Sequence, residues 1–217
     1  MKFKYIDIDN WKRKEYFYYY YKNVKCTFTM NAELDITELK INLKEKNIKL
    51  YPVLIYLLSK AVNKYIEFRM NMDKDEKLGY WENIMPAYTI FNKKQETFFN
   101  LWTDYDEDFF KFYKNYLKDE KLYENSESMF PKGEIPSYTF SISIIPWVNF
   151  TGFNLNIYSD GSYLLPIFTF GKYVKKNDKI IIPLSIQVHH AVCDGFHAGR
   201  FFKELQKMCV DRDWLER

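Results

Sequence analysis

The sequence has few cysteines, no long apolar run and no strong excess of charge of either sign. Its three cysteines, Cys26, Cys193 and Cys209, are odd in number and lack the spacing of a zinc knuckle or a disulfide framework. No run reaches the roughly 18 apolar residues of a transmembrane helix. The charged N-terminus also lacks the apolar stretch of a signal peptide. These absences predict a reduced, cytoplasmic protein with no membrane partner.

The balanced charge and the absence of low-complexity segments exclude further classes of protein. The 32 basic and 29 acidic residues leave a net charge of +3, and no basic stripe is visible, so we expect no nucleic-acid partner. No Gly/Ser linker, repeat or biased block divides the chain. We therefore predict one domain over residues 1–217.

Aromatic residues are abundant, with 19 Tyr and 19 Phe. Large flat side chains suit a ligand pocket or an interface. They also belong in ordinary cores, and a general drift in composition would give the same count.

The apolar patterning predicts alternating helices and strands. Helices are expected at Trp11–Tyr21, Ile36–Glu45, Val53–Phe68, Glu107–Leu122 and from Asp194 to about Val210. Strands are expected at Cys26–Leu34, around Tyr80, at Tyr88–Phe91 and Thr97–Trp102, and then at Ser137–Ile144, Gly152–Ile157, Pro166–Gly171 and Lys179–Val188. The last of these is apolar on both faces at its start, which is typical of a buried interior strand. The pattern indicates an α/β fold in which helices cover one face of a sheet.

All three histidines, His189, His190 and His197, lie within nine residues at a strand-to-helix junction. Side chains alternate across a strand, so His189 and His190 should point to opposite faces and have different roles. Asp194 and Gly195 follow, and the glycine allows a tight turn.

Four interpretations of this cluster are open. The histidines could simply be core residues at a turn. Alternatively, His190, Asp194 and His197 could bind a metal, although their spacing matches no helical His-x-x-x-His pair and no Glu or Cys supplies a convincing extra ligand. A hydrolase triad would need a Ser or Cys nucleophile, and Gly-x-Ser-x-Gly is absent while Cys193 is too close to His190. The fourth is direct group transfer with a histidine base and no enzyme nucleophile.

The residues favour the fourth interpretation through a resemblance. His-His-x-x-x-Asp-Gly at residues 189–195 resembles the signature of the coenzyme A-dependent acyltransferase superfamily. The longer string from Gln187 to His197 is similar to the chloramphenicol O-acetyltransferase family. Further similar segments are Asn10-Trp11, Tyr51-Pro52-Val53, Pro146-Trp147-Val148, Phe150, Phe153-Asn154-Leu155-Asn156, Pro166, Phe168-Thr169 and Gly171-Lys172. The resemblance covers essentially the whole chain.

The resemblance implies an enzyme that moves acetyl from the co-substrate acetyl-CoA to the primary hydroxyl of chloramphenicol, which confers antibiotic resistance. No metal is implied. The implied fold is an α+β sandwich with a mixed β-sheet. Condensation domains of the superfamily carry two units of this size in one chain. A single unit therefore needs another copy of the chain to complete its cleft. The family implies a homotrimer with active sites at the subunit interfaces.

The resemblance also assigns catalytic roles. His190 matches the general base, Ser143 the residue that stabilises the oxyanion, and Thr169 a threonine that contacts the intermediate through water. Asp194 matches a structural aspartate paired with Arg13, and the His190 ring would be oriented by a backbone carbonyl. Analogy with hydrolase triads leaves open a direct Asp194–His190 bond.

Further positions match the two substrate sites of the family. The implied acceptor pocket contains Tyr20, Cys26, Phe98, Phe153, Leu155 and Ile167. Tyr19 and Val24 stand where relatives often carry Phe and Leu, which would change the polarity and size of that pocket. The implied coenzyme contacts are Trp147, Tyr51, Lys172 and Tyr173. Nearby Lys175 and Lys176 could meet phosphates or be a solvated cluster.

Two other functions remain compatible with the sequence. The first is an acetyltransferase of the same fold with a different hydroxyl acceptor. The second is a trimeric binding protein that kept the fold without activity, which the presence of every expected catalytic residue disfavours.

Overall fold

A computed structural model describes residues 1–157 and 160–216, and its helices match most of those expected. The α-helices in these ranges are Lys14–Tyr18 (α1), Thr37–Glu45 (α2), Leu50–Lys64 (α3), Phe109–Tyr123 (α4) and Gly195–Val210 (α5). A π-helical turn, Tyr19–Asn23, extends α1, and 3₁₀ turns lie at Ile66–Phe68 and Asp213–Leu215. None of the helices in the described ranges has the length and hydropathy that crossing a membrane requires.

The strands form two sheets. In chain order they are Phe3–Tyr5 (β1), Thr27–Asp35 (β2), Met70–Met72 (β3), Leu78–Trp81 (β4), Met85–Asn92 (β5), Thr97–Trp102 (β6), Thr139–Ile144 (β7), Ile167–Phe170 (β8), Val174–Lys176 (β9) and Lys179–His189 (β10). The small sheet has the order β1-β4-β3, and the large one has the order β2-β10-β8-β7-β5-β6 with β9 beside β10. β7 runs parallel to β5 and β8 while the other pairs are antiparallel, so the expected mixed sheet is confirmed.

One face of the large sheet is apolar because alternate residues of each strand point the same way. On β10 these are Ile182, Leu184, Ile186 and Val188, each at most 3% exposed. Helix α2 packs on β10, α3 on β5 and α5 on β2, while α3 also packs against α4 and α5. The helices therefore bury this face, as the sequence predicts.

The opposite face is polar. Ser185 and Gln187 of β10 lie there, and residues 150–157 and 160–163, here called the covering segment, pass over them. Ser185 Oγ donates to the Phe153 carbonyl oxygen at 2.8 Å, and the Phe153 amide donates to Asn31 Oδ1 at 3.0 Å. Thr29 Oγ1 donates to the Asn154 side chain at 2.6 Å. Side chains of β2 and β10 thus hold the covering segment, whose described residues form no β-strand pairing.

Several expected elements differ from the structure. The strand predicted at Gly152–Ile157 is wrong, because these residues are irregular and bond to side chains of the sheet. A short strand, β9, lies further along the chain. The helix expected over Trp11–Tyr21 begins only at Lys14, and the helix expected to reach Phe68 ends at Lys64.

The small sheet depends on a glycine, which gives a test of the fold. A Cβ at Gly79 would lie 2.4 Å from the Phe3 ring and 2.5 Å from the Lys4 carbonyl oxygen, and the backbone oxygen cannot rotate away. We expect Gly79→Ala to lower the free energy of unfolding by about 1–3 kcal/mol in urea titrations. Gly199→Ala in α5 is the matched control, since no atom lies within 4 Å there, and it should gain up to about 1 kcal/mol. Equal stability of the two variants would contradict this packing.

Candidate active site

The two adjacent histidines occupy opposite faces of the sheet, as the strand pattern predicts. His189 is 1% exposed and accepts the Ala191 amide at Nδ1, at 3.1 Å. Its other nitrogen, Nε2, therefore carries the proton and donates to the Gly161 carbonyl oxygen of the covering segment at 3.0 Å. Burial lowers the pKa of His189, and the bond to Gly161 only partly opposes this. Both nitrogens are used, so His189 is a neutral structural residue.

His190 lies in the turn after β10, on the helix side of the sheet. Its amide donates to the Cys26 carbonyl oxygen at 2.8 Å. Its ring stacks on Tyr20, with centroids 3.9 Å apart and planes 13° apart, and tilts against Phe28 at 5.3 Å. Nδ1 is buried, and no partner for it lies within the described residues. The backbone carbonyl expected to orient the ring is thus not found, and aromatic packing holds the ring instead.

Asp194 contacts Arg13 rather than His190. Arg13 Nη1 lies 2.6 Å from Asp194 Oδ2, and Arg13 Nη2 donates to the His190 carbonyl oxygen at 3.4 Å. The other carboxylate oxygen caps α5 by accepting the Phe196 amide at 3.0 Å. Burial alone would raise the pKa of Asp194, but the Arg13 hydrogen bond and the neighbouring His197 hold it below the ordinary value. One carboxylate therefore ties the His190 turn to the N-terminal segment and to α5.

His197 extends this network away from the site. His197 Nδ1 lies 3.1 Å from the Asp194 amide and 2.8 Å from Asp194 Oδ1, and Nε2 faces Glu67 Oε1 at 3.4 Å. Arg200 pairs with the same Glu67 at 3.1 Å. Among the residues the structure describes, no three His, Cys, Asp or Glu side chains gather as metal ligands. His197 has the geometry of a capping residue.

Ser143 and Thr169 lie side by side on the polar face of the sheet. They are partners in the β7–β8 ladder, and Thr169 pairs in turn with Ser185 of β10. On the other side of Ser143, the Thr89 hydroxyl of β5 lies 3.2 Å from Ser143 Oγ. Thr169 is 3% exposed, whereas Ser143 is partly open. The row presents hydroxyl groups to the face that the helices leave uncovered.

An exposed aromatic group lies beside this row. The Phe91 ring packs 4.7 Å from Trp147 and 5.2 Å from Phe98. Trp147 is 53% exposed and Phe98 36% exposed. Trp147, expected at the coenzyme, and Phe98, expected in the acceptor pocket, therefore share one apolar surface.

The other residues expected at the coenzyme are near this region. The Tyr51 hydroxyl donates to the Thr89 carbonyl oxygen at 3.2 Å. Tyr173 is 44% exposed, with the ammonium group of Lys40 4.5 Å from its ring centroid. The Lys172 amide donates to the Val148 carbonyl oxygen at 2.8 Å, next to Trp147.

Lys175 and Lys176 have acidic partners in the structure. Lys175 lies 3.2 Å from Asp178, and Lys176 lies 3.2 Å from Glu33. This fits the solvated-cluster interpretation better than a phosphate site, because both ammonium groups already have a carboxylate neighbour.

The residues expected in the acceptor pocket are divided between the two faces. Tyr20 and the Cys26 backbone contact His190 on the helix side. Phe153 and the 44% exposed Leu155 lie in the covering segment, and Ile167 is the β8 neighbour of Gln187 on the polar face. The described residues therefore do not bring these side chains together on one surface of a single chain.

The catalytic candidates are divided in the same way. Ser185 pairs with Thr169 and is four residues before His189. At about 3.3 Å per residue, the His189 end of β10 therefore lies about 13 Å further along the strand than Thr169. Ser143 is two strands away from β10, or roughly 10 Å more. His190 also lies on the opposite face from Ser143. We call His190, Tyr20 and Phe28 the histidine half-site, and Ser143, Thr169 and Thr89 the hydroxyl half-site.

Several contact residues of the site are not predicted from the sequence. Phe28 was expected only as a strand residue, and Thr89 lay inside a strand with no polar pattern around it. Glu67 was expected within a continuous helix, whereas it lies in a 3₁₀ turn that faces His197. Strand pairing is the only signal that could have placed Thr89 beside Ser143, and it is set by the fold.

Comparisons with known proteins agree on one family. The sequence profile described as chloramphenicol acetyltransferase matches residues 1–206. A chloramphenicol acetyltransferase of Clostridium butyricum is 53% identical over 217 residues, covering 100% of this chain and 99% of the relative. One of Clostridium perfringens is 51% identical over 216 residues, covering 99% of each. A solved chloramphenicol acetyltransferase structure superposes with a TM-score of 0.83 at 21% identity, covering 97% of this chain and 100% of the other, and so supports the fold.

The Arg13–Asp194 pair predicts a pH-dependent stability. Because the pKa of Asp194 is lowered in the folded state, the contribution of the pair is present above the ordinary carboxyl pKa of about 3.9 and is lost as the pH falls through the lowered value. We expect Arg13→Met to lower the free energy of unfolding by about 1–3 kcal/mol at pH 7 in urea titrations. The difference from the parent chain should shrink towards pH 2.

Arg212→Met is the matched control, since Arg212 pairs with Glu38 at 3.1 Å with both side chains half exposed. It should change stability by less than about 1 kcal/mol at any pH. An Arg13→Met loss that stays constant from pH 7 to pH 2 would show that the carboxylate is not responsible.

Proposed function

Because the chain belongs to the chloramphenicol acetyltransferase family, we propose that it transfers acetyl from acetyl-CoA to a hydroxyl group of chloramphenicol, with His190 as general base. The similarity over the full length to chloramphenicol acetyltransferases is the observation that supports this activity. The arrangement of His190 supports the role of the base. Its turn is fixed by the Cys26 carbonyl and by Arg13, and the ring is packed against Tyr20.

The base acts through one atom of the ring. Nδ1 of His190 is buried, so it cannot meet an incoming alcohol, and Nε2 remains as the reactive nitrogen. A hydroxyl is a poor nucleophile near neutral pH, and removal of its proton during attack contributes about 10²–10⁴-fold.

The group transfer needs no covalent enzyme intermediate. The chloramphenicol oxygen bonds to the thioester carbon while its proton passes to Nε2 of His190. The tetrahedral intermediate then collapses, the carbon–sulfur bond breaks, and the departing coenzyme sulfur takes the proton back. Ser143 donates a hydrogen bond to the oxyanion, and Thr169 contacts the same region through water.

We assign the two substrates to the surfaces that flank these groups. Acceptor contacts come from Tyr20 and Cys26 on one half-site and from Phe98, Phe153, Leu155 and Ile167 on the other. The coenzyme contacts come from Trp147, Tyr51, Lys172 and Tyr173. Lys40 beside Tyr173 adds a positive charge to that surface. A reduced, cytoplasmic location fits the free thiols of the three cysteines.

The complete site requires a second copy of the chain. The histidine and hydroxyl half-sites lie on opposite faces of one sheet, more than 10 Å apart by strand geometry. They cannot contact one thioester carbonyl within a single chain. A cyclic homotrimer, which the family resemblance implies, would bring the histidine half-site of one copy against the hydroxyl half-site of the next. Three equivalent sites would result.

A different hydroxyl acceptor is the remaining alternative. Tyr19, in the π-helical turn that carries Tyr20, is 54% exposed, and Val24, directly after that turn, is 46% exposed. A change in polarity there alters the surface next to the His190 ring. Thiol release that depends on another hydroxyl compound but not on chloramphenicol would favour this alternative.

Two substitutions test the catalytic assignment. We expect His190→Ala to lower kcat for drug-dependent thiol release from acetyl-CoA by about 10²–10⁴-fold. Ser143→Ala should lower kcat by about 10²-fold or more, because one oxyanion donor is lost.

Ser141→Ala, two residues earlier on the same face of β7, is the matched control and should stay near the parent rate. An undiminished rate in His190→Ala would remove the proposed base. An undiminished rate in Ser143→Ala would remove the proposed oxyanion donor.

A further inference from the structure

We infer that Thr89 is a positioning residue for the reaction and orients the hydroxyl hydrogen of Ser143 towards the oxyanion. This inference rests on the proposed role of Ser143. It goes beyond that role by naming the group that makes Ser143 a directional donor. The carrying observation is the 3.2 Å separation between Thr89 Oγ1 and Ser143 Oγ.

The backbone sets this contact. β5 and β7 run parallel, with Tyr88 opposite Ile142, so the next residue of each strand, Thr89 and Ser143, points to the polar face side by side. The opposite neighbour of Ser143 is Thr169, through the β7–β8 ladder. Ser143 thus has a hydroxyl-bearing neighbour on each side, and the one at hydrogen-bond distance is Thr89.

The direction of this bond decides what Ser143 can do. A serine hydroxyl has one hydrogen and two acceptor lone pairs. If Ser143 donated to Thr89, its only hydrogen would point along the sheet and away from the reacting carbonyl. If Thr89 donates to Ser143, the serine hydrogen is free for the oxyanion. Either direction is possible by distance alone.

Negative charge on the reacting oxygen selects the productive direction. An oxyanion attracts the Ser143 hydrogen, and Thr89 can then donate to the lone pair that Ser143 turns back. Two hydroxyls that donate in sequence polarise one another, so the second strengthens the first. A serine that accepts such a bond is a stronger and better aligned donor than an isolated one.

The backbone carbonyl of Thr89 has a hydrogen bond of its own, independent of the Thr89 side chain. Its carbonyl oxygen accepts the Tyr51 hydroxyl at 3.2 Å. A change confined to the Thr89 side chain therefore keeps the contact that places Tyr51 next to the coenzyme surface. Valine has nearly the shape of threonine and suits a strand, so Thr89→Val removes the hydroxyl with little change in packing.

The test is a double-mutant cycle on Thr89 and Ser143 with drug-dependent thiol release as the readout. We expect Thr89→Val to lower kcat about fivefold to tenfold, the scale of one hydrogen bond, with KM for both substrates unchanged. Thr89→Ser restores the hydroxyl and should recover most of the loss. In a Ser143→Ala background, Thr89→Val should cause no further loss, because its only target is gone.

The controls separate this inference from stability and from the assignment of Ser143. Thr97→Val, on the exposed first residue of β6, should keep the parent kcat, and all variants should keep the parent Tm. If Ser143→Ala is impaired while Thr89→Val has the parent rate, this inference fails and the role of Ser143 stands. The inference also fails if Thr89→Val costs the same with and without Ser143. If Ser143→Ala itself has the parent rate, both fail together.

Discussion

The alternation of side chains along β10 is the constraint on which the whole site depends. A strand sends successive residues to opposite faces, so His189 and His190 separate at its end. His189 holds the covering segment by a hydrogen bond to the Gly161 carbonyl oxygen, and the His190 ring stacks on Tyr20 on the helix side. The same alternation places Ser143 on the polar face and its neighbour Ile142 in the core. One geometric rule therefore produces two incomplete half-sites on each chain.

The histidine half-site is stabilised from outside its own strand. Arg13 reaches both the Asp194 carboxylate and the His190 carbonyl, so a single guanidinium connects the N-terminal segment to the turn. Asp194 also caps α5, and His197 continues the chain of contacts to Glu67. These charged groups surround the turn without touching the His190 ring. They fix its position, and they leave Nε2 open, as the proposed role of His190 as general base requires.

Part of this arrangement is readable from the sequence. Apolar periodicity and capping residues located most helices and strands, and the motif around His190 selected the family whose members match the full length. The failures are local. Gly152–Ile157 has the alternation of a strand, but its hydrogen bonds go to side chains such as Asn31, which no local pattern reveals. Thr89 meets Ser143 through strand pairing across more than fifty residues, so only the folded sheet brings them together.

The central claim is that His190 and Ser143 act in one site only when they come from different copies. Two inactive variants, His190→Ala and Ser143→Ala, can be unfolded, mixed in equal amounts and refolded together. Random assembly into cyclic trimers gives intact pairs at about a quarter of the interfaces, so about a quarter of the parent rate should return. Refolding His190→Ala with a His190→Ala, Ser143→Ala double variant should return none. Mixed oligomers that form without any recovered activity would contradict the account.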